Sequence, residues 1–421
     1  MNSLRAVILM IRRSLIQHAV AVGVTLLSVA VATGLVMAVF SLETQSRRAF
    51  TSGATGFDAV LGARGSQLQL VLNAIFHLET SPGNLPWALY EQIRKDPRVS
   101  AAVPCATGDN YRGFHIVGTT LELFDSKDPQ GQPVYRLPKG HRMFDAMSQE
   151  AVIGSFVARR TGLKVGDIFQ PYHGLSFDES ARHDEDYVVT GILEPTNTPS
   201  DRAIFIPIEG IFRMGGHVLR GTGSEYKARP DEMIPDEHKE VSSVLIRLKN
   251  PQSGFSLNQT INRQGKVATL AWPIGGVMAD LFDKLGWMAL VLRVVAWLVV
   301  LVAGCTILAS IYNTMNERRR EFAILRALGA TRRVVFSAVV IESGLIALLG
   351  SLLGLLVSSS ILGLASIVIR AKVGVVIQIW EYHPMLGVTP VLMTLIGVLA
   401  GFLPAFKAYR TDVAHHLAAH S

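Results

Sequence analysis

Four uncharged apolar runs, Ala19–Leu42, Val294–Tyr312, Ser343–Ile367 and Met385–Phe406, constrain this chain more than any other feature. Each approaches or exceeds the roughly 20 residues of helix that cross about 30 Å of hydrocarbon. A backbone in lipid has no water to bond, so each run must close its own amide hydrogen bonds as a helix. Composition agrees: 49% hydrophobic residues, 17% charged residues and a mean hydropathy of +0.33 are too apolar for an ordinary soluble protein of 421 residues. The chain is parsed as an amphipathic helix (1–18), spans at 19–42, 287–315, 334–369 and 385–407, an external domain (43–286), a charged loop (316–333), a short loop (370–384) and a tail (408–421).

The first run exceeds the roughly 7–15 apolar residues of a secretory signal, and is expected to be a retained anchor. Ahead of it Leu4, Val7, Ile8, Ile11 and Leu15 share a helical face, with Arg5, Arg12 and Arg13 mostly elsewhere. That pattern suits a helix lying on the inner leaflet. Lys and Arg accumulate in cytoplasmic loops. The N-terminal segment holds three, residues 316–333 six and the tail two (Lys407, Arg410), against about five near the other face (Arg47, Arg48, Lys284, Arg370, Lys372). Both ends are therefore expected in the cytoplasm, with residues 43–286 on the outer face. The net charge of +7 is then a topology signal. No basic stripe interleaved with aromatics argues for nucleic acid.

Residues 43–286 read as a mixed α+β domain. "NLPWALYEQIRKDPRVSAAVP" (84–104) is a helix stopped at Asp96-Pro97 and followed by a strand. "EAVIGSFVARRTGLKVGDIFQ" (150–170) is strand, helix, Gly162 C-cap and strand. Further strands are expected in 186–193, 203–208 and 242–249, and a helix in 254–264. The polar, Gly- and Pro-rich stretch 215–240 reads as a mobile insertion. Cys105 and Cys305 lie in different regions, so no disulfide framework is expected.

The charged loop is patterned beyond what topology needs. In "NERRREFAILRALGATRR" (316–333), Phe322, Leu325 and Leu328 recur at i, i+3 and i+6, with Ile324 four residues before Leu328. Glu317, Arg318, Arg319, Arg320, Glu321 and Arg326 fill most of the remaining surface. Gly329 supplies a helix stop and Thr331 a fresh N-cap before Arg332 and Arg333 lead into the third span. This is a short helix outside the lipid, with an apolar strip suited to docking into another protein.

The segment 316–363 closely resembles the FtsX-type permease domain of the macrolide-exporter and lipoprotein-releasing ABC transporters. "GFLPAFKAYRTDVAHHL" (401–417) resembles that domain's ending, except that Val413 follows Asp412 where the family usually has Pro. "AVIGSFVARRTGLKVGDIF", "DYVVTGIL" and "AIFIPI" look like the family's periplasmic core. The resemblance implies that 316–333 holds a coupling helix seated in a groove of a cytoplasmic ABC ATPase, with Phe322, Leu325 and Leu328 filling the groove and Arg318, Arg319, Arg326, Arg332 and Arg333 setting orientation. It implies a bacterial inner membrane with the large domain periplasmic, two permease subunits, identical or related, with two ATPases, and an adaptor or substrate-carrying protein in the periplasm. Export or extraction by mechanotransmission is the function it implies; lipoprotein release and non-transporting signal transmission across the membrane are the alternatives.

Motifs for chemistry on the chain itself are missing. No G-x-x-x-x-G-K-[ST] occurs, so ATP and Mg are expected on the partner ATPase and no cofactor on this chain. No H-E-x-x-H, C-x-x-C or G-x-S-x-G is found, and Ser224–Lys227 fits S-x-x-K without its companion motifs. No catalytic residue or metal ligand is assigned: "HDED" (183–186) with His173 offers metal donors, but a solvated charged loop is the commoner meaning, as for His415 and His416. Glu342 interrupts the uncharged stretch Val334–Ile369, where a carboxylate costs a few kcal/mol unless paired. Its place in "IESG" matches the family pattern and implies a structural or coupling role. Gly350 and Gly354 have a small-xxx-small spacing that serves either a dimer face or packing within the bundle.

Overall fold

The computed structural model describes residues 3–51, 56–128, 130–175, 177–215, 234–327 and 329–410, with backbone alone at 3–6, 51, 319, 320, 325, 327 and 407–410. Most of the 215–240 insertion, Ser224–Lys227, Leu328, Asp412, Val413 and His415–His416 lie outside the described residues. The chain divides into a helical unit (1–46, 285–366 and 377–421) and a second unit (47–284 and 367–376).

The helical unit holds the N-terminal helix Ser3–Gln17 and, among the described residues, four helices long and apolar enough to cross a membrane. These are Ala19–Thr51, Gly286–Glu317, Arg332–Val373 and Met385–Arg410, called here the first to fourth spans. The second span buries Ala296, Val300, Ala303, Ile307, Ile311 and Met315, a stripe at spacings of three and four. Its remaining surface, including Leu298, Leu301 and Val302, is exposed apolar area of the kind lipid covers. That stripe shares a core with Val29, Ala32 and Val36 of the first span, Val339, Ile346 and Ala347 of the third, and Met393 and Ala405 of the fourth.

Small residues let these helices approach. A Cβ on Gly350 would stand 2.7 Å from Val29 Cβ, and one on Gly354 2.0 Å from Thr33 Oγ1. The Gly350–Gly354 pair is therefore used against the chain's own first span, which decides the two readings of that spacing in favour of packing within the bundle. The N-terminal helix also differs from expectation. Val7 and Ile11 are buried with Ala338 of the third span, against Val334 and Leu345, so this face docks on protein rather than on the leaflet; Ile8, Leu9 and Ile16 stay exposed.

Among the described residues the second unit is built on a ten-stranded mixed sheet. Its strands are β1 (Ala59–Ala63), β3 (Val99–Tyr111), β4 (Phe114–Thr119), β5 (Glu150–Ile153), β6 (Ile168–Phe169), β7 (Tyr172–His173), β8 (Tyr187–Ile192), β9 (Ile204–Pro207), β11 (Ser243–Leu248) and β12 (Ala268–Ala271); β2 (Leu85–Pro86) and β10 (Glu240–Val241) form a separate ribbon. The order is β12-β1-β11-β3-β4-β9-β5-β8-β6, with β7 paired to β3. Most pairings are antiparallel; β4–β9 and β5–β8 run parallel. Alternating side chains supply two apolar cores, one containing Leu61, Ile116, Ile153, Tyr187 and Ile246, the other Val60, Val117, Val152, Phe205 and Leu245.

Candidate functional site

The charged segment 316–333 folds as a helix–break–helix. The second span ends at Glu317, and Arg318 caps it with its N–H on Thr314 O at 3.1 Å. The short helix Arg319–Ala327 follows, tied to the cap by Phe322 N–H on Arg318 O at 3.0 Å. Gly329 has φ +97°, a backbone that side chains beyond glycine rarely adopt. The third span then begins at Arg332, where Val334 N–H bonds Thr331 O at 3.1 Å. Together these breaks leave Arg319–Ala327 as a separate short helix between two spans.

Which side chains face outward corrects the sequence expectation. Phe322 is only 7% exposed and belongs to the same core as Met315, Val335 and Val339. Arg318, also buried, lies over the Phe322 ring at 4.9 Å, with Nε 3.3 Å from Glu321 Oε2 and Nη1 3.8 Å from Glu342 Oε2. These two residues tie the short helix to its own bundle. The reason is proximity: apolar residues at helical spacing bury against the nearest apolar surface, which the spans already provide. Ile324 is 47% exposed, and Glu317, Glu321, Arg332 and Arg333 are exposed, while Arg326 is half-buried. The side chains of Arg319 and Leu325, and all of Leu328, lie outside the described residues.

Glu342 is the node of this region. It is buried on the third span, accepts a hydrogen bond from Ser14 Oγ of the N-terminal helix and faces Arg318. Beside it, His18 Nδ1 lies 3.4 Å from Glu317 Oε2. One buried carboxylate thus joins the N-terminal helix, the root of the short helix and the third span. Sequence reasoning singled out Glu342 and Arg318 but missed Ser14 and His18. A signal was present: Ser14 continues the Val7–Ile11 stripe at i+7, as the polar member of a buried face.

Elsewhere in the helical unit Glu43 of the first span and Arg293 of the second form an ion pair, with Arg293 Nε 3.0 Å from Glu43 Oε2. In the second unit the "HDED" stretch is not simply a solvated loop. His183 Nε2 lies 3.3 Å from Asp109 Oδ1, and that carboxylate raises the imidazole above its usual range. His173 Nδ1 approaches the same oxygen at 3.4 Å. Asp109, 74 residues before His183, was not a sequence candidate.

Four spans, a folded α+β domain inserted after the first and a short charged helix between the second and third are the arrangement that the family profiles of a transporter's membrane subunit match. The family profile of the MacB-like periplasmic core domain matches residues 22–264, more than half of the chain, and that of the FtsX-like permease C-terminal matches residues 293–413. The chain belongs to the MacB/FtsX-type ABC-transporter permeases.

Among relatives, the macrolide export ATP-binding/permease protein MacB of Bordetella avium is 34% identical over 131 residues, 31% of this chain and 19% of that protein. MacB of Escherichia coli K12 is 26% identical over 190 residues, 42% of this chain and 28% of that protein. The matches thus span less than a third of these relatives' own length. The crystal structure of the periplasmic region of MacB from Actinobacillus actinomycetemcomitans is 10% identical and covers 56% of this chain and 97% of that one, with a TM-score of 0.34. The extracellular domain of the noncanonic ABC-type transporter YknZ is 13% identical and covers 51% and 99%, with a TM-score of 0.29.

Proposed function

We propose that this permease couples ATP hydrolysis by a partner ATPase to movement of its external domain, driving export or extraction of a substrate from the periplasm or outer leaflet. The observation that carries the reading is the two-sided lever Arg319–Ala327. Its inner side is fixed through Phe322, Ala323 and Arg318, and its outer side presents Glu321 and Ile324. A partner that binds the outer side in one nucleotide state and not in another moves the lever. The lever cannot move without the roots of the second and third spans and the Glu342 node. Hydrolysis performs transport only if the external domain's substrate affinity differs between the two states.

In this reading ATP and Mg sit on the ATPase, which docks on the cytoplasmic side of a bacterial inner membrane, where both termini also lie. A second permease subunit, identical or related, completes the transporter, and a periplasmic adaptor or substrate carrier receives cargo. The export role named for the MacB relatives supports export over lipoprotein release or signalling.

The test is co-purification of the detergent-solubilised chain from its host, native against Ile324→Asp. The native chain is expected to carry an ABC ATPase and the variant to lose it about thirtyfold, as an interface anchor of about 2 kcal/mol implies. Equal recovery with both chains, or no ATPase with either, would overturn the docking site.

A further inference from the structure

We propose that Asp109, His173 and His183 form a divalent-metal site in the external domain, of the kind that takes Zn2+. It is independent of the transport reading and stands on how the fold gathers these donors. One ligand atom from each residue lies within 4.8 Å of the other two. Asp109 Oδ1 is 3.4 Å from His173 Nδ1 and 3.3 Å from His183 Nε2. Metal–ligand bonds of about 2.0–2.1 Å at tetrahedral angles require edges of about 3.3–3.4 Å. Two edges are therefore in place, and a small rotation of His173, exposed at the rim, closes the third.

The scaffold holds these positions by backbone bonding. β7 pairs with β3, setting Asp109 opposite His173. Gly174 N–H bonds Gly108 O at 2.8 Å, and Asn110 Nδ2 donates to Gly174 O at 2.8 Å. His183 N–H bonds Pro171 O at 2.9 Å, and Tyr172 bridges to Arg182, so the second histidine returns to the same strand. β3 shifts register against β4 between Thr107 and Asp109. An irregularity of this kind re-aims side chains and recurs beside functional sites.

Asp109 is buried, and its Oδ1 faces both imidazoles. Behind His183, Glu185 Oε2 stands 3.9 Å from Nδ1, the ring nitrogen turned away from Asp109. A carboxylate on the far nitrogen of a ligating imidazole is the usual second layer of such sites. Two imidazoles and one carboxylate suit zinc and its neighbours rather than calcium or magnesium. Three protein donors leave the fourth position for water or for a donor from outside, so the ion pins the 171–185 segment to β3 while staying open to a ligand.

The test uses the full-length chain without a histidine tag, in detergent, stripped with a chelator and titrated with Zn2+ against a chromophoric competitor. The native chain is expected to bind one more Zn2+ than His173→Ala/His183→Ala. Zn2+ should raise its unfolding temperature while leaving that of the double variant unmoved. Co2+ should give a visible tetrahedral spectrum only in the native chain, and Glu185→Gln should weaken Zn2+ about tenfold. The substitutions keep buried Asp109 in place, and unfolding curves without metal report whether the double variant is folded. Equal Zn2+ uptake by native chain and folded double variant would overturn the site, leaving the cluster as a histidine–aspartate ion pair. So would a double variant that does not fold, combined with no Zn2+ uptake by the native chain.

Discussion

Glu342 is stranded within an apolar helix unless something answers its charge, and the structure supplies Ser14 and Arg318. Removing one partner of a buried pair leaves the other uncompensated, typically at about 3 kcal/mol. Arg318→Ala is accordingly expected to destabilise the detergent-solubilised chain by about that much in denaturant titrations, and adding Glu342→Gln to restore a large part of it. Equal stability of Arg318→Ala and native chain would contradict the node. His77 gives a second test, in the external domain. Burial first, then His115 and Arg202, lower its pKa to about 3, and its Nδ1 is shielded without a hydrogen bond. The fold holds it neutral while the unfolded chain takes up a proton near pH 6.5. Its contribution is therefore complete above about pH 6.5 and lost as pH falls towards 3, about 2 kcal/mol of it by pH 5. His77→Asn, which suits the positive φ of 52°, should flatten the external domain's stability between pH 7 and 5. An unchanged slope would refute this. Glu342 was legible because it breaks an uncharged run; Ser14, 328 residues away, was not, because distance along the chain hides a contact that only the fold makes.

At the scale of elements, the bundle depends on where a Cβ is missing. Gly354→Ala is expected to cost about 1–3 kcal/mol by pushing the first and third spans apart, whereas Gly23→Ala, with nothing within 4 Å of the added carbon, should leave thermal unfolding nearly unchanged. If the two variants melt alike, Gly354 does not set the approach. Helix positions were legible because apolar runs and a 3.6-residue period survive in any environment. The short helix between the spans was legible too, from its apolar spacing and the glycine after it. Its facing was not. Sequence marks Phe322 as apolar but cannot say whether its own bundle or a partner covers it, and Arg318 looks like a docking charge until its partner Glu342 is in view.

At the scale of the whole molecule, β8, β9 and β11 were visible in β-branched runs, as was the alternation of strand and helix around Gly162. The sheet order was not, because β1 lies between β11 and β12, strands from the far end of the domain. The helix Ile274–Lys284 was passed over because Gly275 and Gly276 weaken its pattern. The Asp109–His173–His183 cluster was half visible: the histidines stood out, but Asp109 reaches them only through the β3–β7 pairing.

Mechanical transmission through the lever is the central claim. It is tested most directly by reconstituting the permease with its ATPase in lipid nanodiscs and following a distance between labels on the external domains as ATP is added. The account predicts an ATP-dependent change in the native complex that is lost in Ile324→Asp, while the external domain's own unfolding stays the same. An equal change in the variant, or a change that needs no ATPase, would contradict it.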